Sequence, residues 1–208
     1  AHTSYDTPEA FMLTTLIRSV PSAFLLCILL SGSALAQEDL LQNWQWQNPS
    51  STTNDLFSIS LFNNDSGFVA VGAYGTIVRR KSAKDSITAV SLGSQHHFRS
   101  VFFIDDKLGF AVGALGILVK TTDCGETWSV IDLPTNENLN IIYFVTRFKG
   151  WIAGENGILL TTDDGAENWR SVPTGVLSNL RTINFLDDSL GIAGGNTATI
   201  FTDNGGAT

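Results

Sequence analysis

Cysteine and positive charge are both scarce in this chain, which has 2 cysteines and 12 lysines and arginines against 20 aspartates and glutamates. Phosphate binding needs a basic stripe, so the net charge of −8 argues against nucleic acid as a partner. A glycine-rich phosphate loop, a nucleophile elbow and a zinc signature are also missing from the sequence. We therefore expect no metal, no cofactor and no catalytic residue.

The apolar segment near the start of the sequence is also short. The apolar run at residues 23–30 is too short to span a bilayer comfortably, and the small residues Ala34 and Ala36 follow it. This pattern predicts a cleaved signal peptide over residues 12–36, with a retained membrane anchor as the lesser alternative. Residues 1–11 then form an upstream, non-native segment. We expect export to a periplasm, a thylakoid lumen or the cell exterior. Cleavage would leave Cys124 as the single thiol, so no intramolecular disulfide could form.

What the sequence does contain is a repeat with a period near forty residues. Gly72, Gly113, Gly154 and Gly194 are 41, 41 and 40 residues apart, and Asp123, Asp163 and Asp203 are 40 and 40 apart. A unit of this length cannot bury its own apolar face, so the period predicts a stacked array over residues 37–208. We place the units at residues 56–90, 98–131, 140–172 and 180–208.

Each unit reads as four β-strands. A buried first strand leads into a small-residue strand such as GFAVG, then an aliphatic strand, then an outer strand. The pattern predicts an all-β fold, a β-propeller with four-stranded blades of about 40 residues. We expect this chain to be the N-terminal half of a propeller that has six to eight blades when complete. Residues 44–55 are predicted as a lone closing outer strand and linker, because Trp46 lies 82 residues before Trp128.

The third strand of a unit runs into a motif of the form Thr-x-Asp-x-Gly-x-x-Trp, the Asp box. It reads TTDCGETW from Thr121, TTDDGAENW from Thr161 with one extra residue, and FTDNGGAT from Phe201, and it is degenerate in the first unit. The carboxylate can accept backbone N–H groups across the turn, so its role is structural. The predicted structural residues are Thr121, Asp123, Gly125, Trp128, Thr161, Asp163, Gly165, Trp169, Thr202, Asp203 and Gly205.

The loops between blades and the tight turns after the second strands are predicted to share the opposite face. Recognition concentrates in loops that a rigid scaffold positions, so this face is the candidate binding face. Its predicted residues are Tyr74, His96, His97, Asn136, Glu155, Asn156 and Asn196. His96 and His97 are adjacent in the sequence. Because neighbouring residues rarely ligate one metal together, we expect no metal there.

Together, the WQWQNP segment, the repeated Asp-box pattern and the signal peptide resemble the photosystem II stability and assembly factor type of Asp-box propeller. The resemblance covers residues 44–208. It implies a non-enzymatic, exported, seven-bladed protein that binds protein subunits, including subunits of a membrane complex, during photosystem II assembly.

Two other classes stay open. Asp boxes also mark sialidase-like glycoside hydrolases and lectins, whose sites combine an arginine cluster with a tyrosine and a glutamate. After signal cleavage only Tyr74 and Tyr143 remain, and neither has that context. The other alternative class is a secreted or cell-surface adhesive propeller with a C-terminal sorting domain. A small molecule or glycan stays open as a ligand, although no residue pattern supports it.

Overall fold

The structure, a computed structural model, describes residues 52–62, 66–93 and 96–206. These residues form four antiparallel sheets whose strands pair in chain order. The predicted signal peptide and residues 44–51 of the predicted closing strand lie outside the described residues. Within the described part of the chain, no helix has the length and apolar character needed to cross a membrane.

Three sheets have four described strands and the fourth has three. Blade 1 comprises β1 (Leu56–Phe62), β2 (Gly67–Gly72), β3 (Thr76–Arg80) and β4 (Thr88–Ser91). Blade 2 comprises β5 (Phe98–Phe103), β6 (Gly109–Gly113), β7 (Leu118–Thr121) and β8 (Ser129–Ile131). Blade 3 comprises β9 (Leu139–Phe144), β10 (Gly150–Gly154), β11 (Leu159–Thr162) and β12 (Arg170–Ser171). Blade 4 comprises β13 (Leu180–Phe185), β14 (Gly191–Gly195) and β15 (Thr199–Thr202). Short 3₁₀ turns at Ala73–Gly75, Ala114–Gly116 and Glu155–Gly157 join the second and third strands of blades 1 to 3.

The hydrophobic core lies between successive blades. The first strand of each blade packs against the first and second strands of its neighbour. Aromatic rings stack across each of the three boundaries, with centroid distances of 4.7 Å for Phe62–Phe103, 5.0 Å for Phe110–Phe144 and 3.5 Å for Trp151–Phe185. A single sheet of this size has too little apolar surface to stand alone, so stacking is what stabilises it. The predicted all-β propeller fold of four-stranded blades is confirmed.

The periodic glycines have a common steric cause. A Cβ on Gly113 would collide with the backbone carbonyl of His97, and one on Gly195 with the carbonyl of Asn179. Gly72 and Gly154 meet the carbonyls of Asp55 and Asn138 in the same way. The sequence analysis placed the fourth glycine at Gly194, which is wrong by one residue, because a Cβ there would meet two side-chain atoms, Thr182 Cγ2 at 3.3 Å and Thr199 Oγ1 at 4.0 Å, and no carbonyl. The period of these glycines is therefore 41 residues throughout.

Candidate functional site

The Asp box of blade 2 is a turn whose carboxylate is fully occupied by local hydrogen bonds. Asp123 accepts the backbone N–H groups of Glu126 and Thr127 at 2.9 Å each, and the Thr127 hydroxyl at 2.6 Å. The Thr121 hydroxyl donates to Asp123 at 2.8 Å and accepts from the Gly125 N–H at 3.0 Å. Partial burial raises the pKa of Asp123, but the bonds from Thr127, Thr121 and Glu126 outweigh it, so the pKa is lowered. The carboxylate is thus an anionic brace of the turn.

The box of blade 3 uses different residues from those predicted. Here the Thr162 hydroxyl donates to Asp164 at 2.8 Å, and Asp164 accepts the backbone N–H of Asn168 at 2.9 Å. The N–H of Ala166 donates to Thr162 at 3.1 Å. Assigning Thr161, Asp163 and Gly165 to the box is wrong by one residue. The supposed extra residue does not exist, because Ala166 takes the left-handed position of Gly125 with φ of 71°.

The turn of blade 4 shows the same shift. The Thr202 hydroxyl donates to Asn204 Oδ1 at 2.9 Å, and the N–H of Gly206 donates to Thr202 at 2.8 Å. Asn204 and Gly206 therefore hold the positions that the sequence analysis gave to Asp203 and Gly205, which corrects that assignment. An amide oxygen replaces the carboxylate, so this box keeps its geometry without the charge.

The neighbouring aspartates of blade 3 offer a matched test of this assignment. Asp164→Ala is expected to lower the melting temperature, whereas Asp163→Ala, at an exposed side chain, is expected to leave it nearly unchanged. Hydrogen bonds, first from the backbone of Asn168, lower the pKa of Asp164 from 3.8 to about 2. A lowered folded-state pKa contributes stability above the unfolded-state value that is lost as the pH falls toward 2. The difference in melting temperature between the two variants should therefore be largest near pH 7 and become smaller in acid. Circular-dichroism melts check this, and equal losses in both variants would contradict the assignment.

The Asp boxes share one face with the turns between the first and second strands. The N–H of Cys124 donates to the Lys107 carbonyl at 3.2 Å, and that of Gly165 to the Phe148 carbonyl at 3.0 Å. In blade 4, the N–H of Gly205 donates to the Ser189 carbonyl at 2.8 Å. We call this the box face. Its turns are therefore joined to one another by backbone hydrogen bonds.

The opposite face, which we call the loop face, comprises the turns at 73–75, 114–116, 155–157 and 196–198 and the loops between blades. In blade 2, the N–H of Ala114 donates to the His97 carbonyl at 2.9 Å, and the N–H of Leu115 donates to Asn138 Oδ1 at 2.9 Å. In blades 1 to 3, each turn is thus held between the loop before its blade and the loop after it. Asn156 repeats the second bond, donating to Asn179 Oδ1 at 3.0 Å. The loop face is accordingly a braced surface.

The tips of three loop-face turns carry non-glycine residues in the left-handed conformation. Tyr74, Leu115 and Asn156 have φ of 55°, 56° and 54°. This conformation is uncommon for bulky residues, which it disfavours sterically. Their side chains nevertheless stay exposed, to 59% for Tyr74 and 64% for Leu115. The Tyr74 ring lies 5.0 Å from the ring of His97, as measured between centroids.

A polar network that sequence reasoning missed lies beside these tips. Arg99 Nη1 donates to Asn140 Oδ1 at 2.6 Å and to Glu155 Oε1 at 2.7 Å, and Asn138 Nδ2 donates to Glu155 Oε2 at 2.9 Å. The hydrogen bond from Arg99, followed by that from Asn138, lowers the pKa of Glu155. Arg99 and Asn138 are not among the predicted surface residues, and they join that surface by holding the carboxylate of Glu155.

The network continues into blade 4. Asn140 Nδ2 donates to the Leu180 carbonyl at 2.7 Å, and Arg181 Nε donates to Asn196 Oδ1 at 2.6 Å. Arg99, Asn140 and Arg181 are spaced 41 residues apart, each one position after the start of a first strand. A search for polar residues on the repeat period would have found them.

The structure brings the predicted loop-face residues to one surface through their turns. The His96 carbonyl accepts the N–H of Gly75 at 2.7 Å, and Asn156 Nδ2 donates to Glu137 at 2.8 Å. Asn136 is exposed in the loop between blades 2 and 3. Among residues 52–62, 66–93 and 96–206 there is no group of three or more His, Cys, Asp or Glu placed to hold a metal. A binding role for the seven residues stays a prediction.

Comparison with known proteins gives one family match and similar solved structures. The sequence model of the family described as photosynthesis system II assembly factor YCF48 matches residues 79–206. YCF48 from Cyanidioschyzon merolae has 19% identity and a TM-score of 0.62, over 77% of this chain and 54% of that one. YCF48 bound to D1 peptide has 21% identity and a TM-score of 0.59, over 76% of this chain and 57% of that one. At these identities the likeness shows the fold, and this chain spans little more than half the length of either structure.

No curated protein matches the chain significantly. The family match, by contrast, covers residues 79–206, more than half of the 208-residue sequence, and includes the Asp boxes of blades 2 and 3. The chain therefore belongs to the photosynthesis system II assembly factor YCF48 family.

Proposed function

We propose that this chain is an exported, non-catalytic propeller that binds an extended protein segment on its loop face, as in photosystem II assembly. The observation that carries the proposal is the row of left-handed turn tips whose side chains remain exposed. A YCF48 structure bound to D1 peptide makes a D1 segment the first ligand to test.

The backbone strain at the tips supports a binding role. Glycine would adopt the left-handed conformation of Tyr74 or Leu115 at no steric cost, and it does so at the following residues, Gly75 and Gly116. The bulky side chains of Tyr74 and Leu115 therefore give the turn no conformational advantage. Strained, exposed residues of this kind concentrate at recognition surfaces.

Charge and apolar surface are combined on the same face. Leu115 and Tyr74 offer apolar contact area, while Arg99, Glu155 and Arg181 add charged groups beside them. A peptide with an apolar side chain and free backbone amides could use both, since tyrosine and arginine are among the residues that contribute most binding energy at interfaces. The braced loops reduce the ordering cost of such binding.

The carboxylates favour a non-catalytic role. General acid catalysis needs a carboxyl whose pKa is raised by an apolar site. Among the described residues, the carboxyls with a resolved change are all lowered, namely Asp105, Asp123, Glu155, Asp164 and Asp187. Hydrolysis of a sialoside or an aryl glycoside at enzymatic rates by the purified chain would contradict this part of the proposal.

The binding test replaces the tip side chains with glycine. Tyr74→Gly and Leu115→Gly are each expected to weaken binding of a labelled D1 peptide about tenfold, from a panel that tiles the D1 sequence. Both variants should melt at or slightly above the wild-type temperature, because glycine removes the left-handed strain. Fluorescence anisotropy measures the binding and circular dichroism the melting.

The control for this test is Val130→Thr, which changes an equally exposed side chain on β8, away from the loop face. It should bind as the wild type does. Unchanged peptide affinity in both glycine variants would refute the loop face as the binding surface.

Export has its own test. Residues 12–36 carry the predicted signal, so the protein recovered from the periplasm of an expressing bacterium should begin at Gln37 by intact mass. Retention of the uncleaved chain in the cytosol would contradict export.

A further inference from the structure

The loop between blades 3 and 4 carries an apolar side chain that the sequence analysis did not single out. Leu177 is 88% exposed. The loop around it is held on both sides, because the Thr174 hydroxyl donates to the Gly157 carbonyl at 2.9 Å and Asn179 Oδ1 accepts the N–H of Asn156 at 3.0 Å. Leu177 is therefore presented on a fixed loop, beside the turn of blade 3 on the loop face.

The equivalent position in blade 2 shows that this exposure belongs to the repeat. Asn138 and Asn179 are 41 residues apart, and each accepts the N–H of a turn tip. On that alignment, Leu177 holds the position of Asn136. Asn136 is exposed although blades 3 and 4 both follow it. The exposure of Leu177 is thus a property of its position in the repeat.

Apolar and amide side chains alternate between these two positions. Blade 2 has Leu115 at its tip and Asn136 in the following loop, whereas blade 3 has Asn156 at its tip and Leu177 in the following loop. Leu115 and Leu177 share the loop face with Tyr74, and all three are more than half exposed. Single exposed apolar side chains are ordinary, but several on one braced face mark an interaction site.

A carboxylate lies between the two leucines. Hydrogen bonds lead from one leucine to the other, because the N–H of Leu115 donates to Asn138, and Asn156 donates to Glu137 at 2.8 Å and to Asn179. Among the residues that the structure describes, no lysine, arginine or histidine forms an ion pair with Glu137. Its negative charge is therefore not compensated.

The neighbouring carboxylate of Glu155 differs in this respect. Arg99 Nη1 lies 2.7 Å from Glu155 Oε1, and the positive charge of Arg181 also acts on that carboxylate. Glu155 is thus already paired within the chain. Of these two carboxylates, Glu137 is the one that can attract a cation from a ligand.

We propose that the loop face selects a peptide segment in which a lysine or arginine lies between two apolar side chains. This inference rests on the proposed function, because it concerns the same surface. Leu115 and Leu177 contact the apolar side chains and Glu137 pairs with the cation. An exposed ion pair adds little affinity, so the apolar contacts supply most of the binding and Glu137 supplies the selectivity. The net charge of −8 also favours a cationic ligand.

The test uses three labelled peptides that have leucine on both sides of a central lysine, glutamine or glutamate. Fluorescence anisotropy should show the lysine peptide binding about threefold tighter than the glutamine peptide, with the glutamate peptide weaker by a similar factor. Glu137→Gln keeps an oxygen that can accept the Asn156 amide, and it should abolish the preference for lysine over glutamine. Leu177→Asn, which introduces the residue found at Asn136, should weaken all three peptides about tenfold at an unchanged melting temperature.

Glu167→Gln is the matched control, because it removes the same charge from an exposed side chain on the box face, and it should keep the preference. Equal affinities for the three peptides, a preference that survives Glu137→Gln, or no binding of the lysine peptide at about millimolar concentration would overturn the selectivity. Binding of Leu177→Asn like the wild type would overturn the role of that leucine. Each of these results leaves the proposed function standing if Tyr74→Gly and Leu115→Gly still weaken binding of the D1 peptide.

Discussion

Gly113→Ala is expected to destabilise the fold by about 3 kcal/mol, at the upper end for overpacking. The added methyl group would collide with the His97 carbonyl, which is fixed because it accepts the N–H of Ala114 at 2.9 Å. A backbone collision cannot be relieved by a change of rotamer, so β5 and β6 would have to separate. For a protein of this size, that loss corresponds to a decrease in melting temperature of roughly 6–12 °C.

A matched pair in blade 4 tests whether the steric explanation is right. Gly195→Ala introduces the same collision, with the Asn179 carbonyl, whereas Gly194→Ala would only approach the Thr182 side chain. Urea unfolding should show a lower midpoint for Gly195→Ala and a small change for Gly194→Ala. The opposite order would restore the 40-residue spacing that the sequence suggests for the fourth glycine.

Trp151→Ala is expected to cost about 3–5 kcal/mol, as other large-to-small core substitutions do. The indole is fully buried and stacks on Phe185 with an interplanar angle of 13°, and its N–H donates to the Gly205 carbonyl at 3.4 Å. Its removal leaves a cavity at the boundary of blades 3 and 4, so blade 4 should separate from the array first.

Trp151→Phe is the control for this substitution. Phenylalanine keeps a ring against Phe185 and loses the N–H donor, so a loss of about 1 kcal/mol is expected. Urea unfolding curves for the wild type and both variants measure these losses of unfolding free energy. Equal losses in the two variants would mean that the stacked ring does not hold blade 4 in place.

Much of this architecture could be predicted from residues that lie close together in the chain. The alternation of strands such as Phe98–Phe103 and the short motif around Asp123 act within about ten residues. Strand patterning and turn hydrogen bonds are local interactions, so they leave a direct trace in the sequence. This is why the propeller fold and the existence of Asp boxes were visible before the structure was.

The choice between adjacent residues was not visible in this way. Asp163 and Asp164 are identical in type, and so are Gly194 and Gly195. The Thr162 hydroxyl and the Asn168 N–H select Asp164, and the approach of the Asn179 carbonyl selects Gly195. Register is set by pairing and packing with other strands, and a shift by one residue leaves the composition of a motif intact.

The sequence by itself determined the repeat, the strands of each blade and the family, because these depend on short-range patterning and on a period that repeats along the chain. The repeat period marks Arg99 and Asn140, but only the tertiary structure decided their contacts, in which Arg99 reaches Asn140 and Glu155, 41 and 56 residues away. It also decided burial, since Trp151 is fully buried only because Phe185 of the next blade stacks on it. The reason is physical: such contacts exist only when one blade is stacked on another, and stacking is a property of the assembled array.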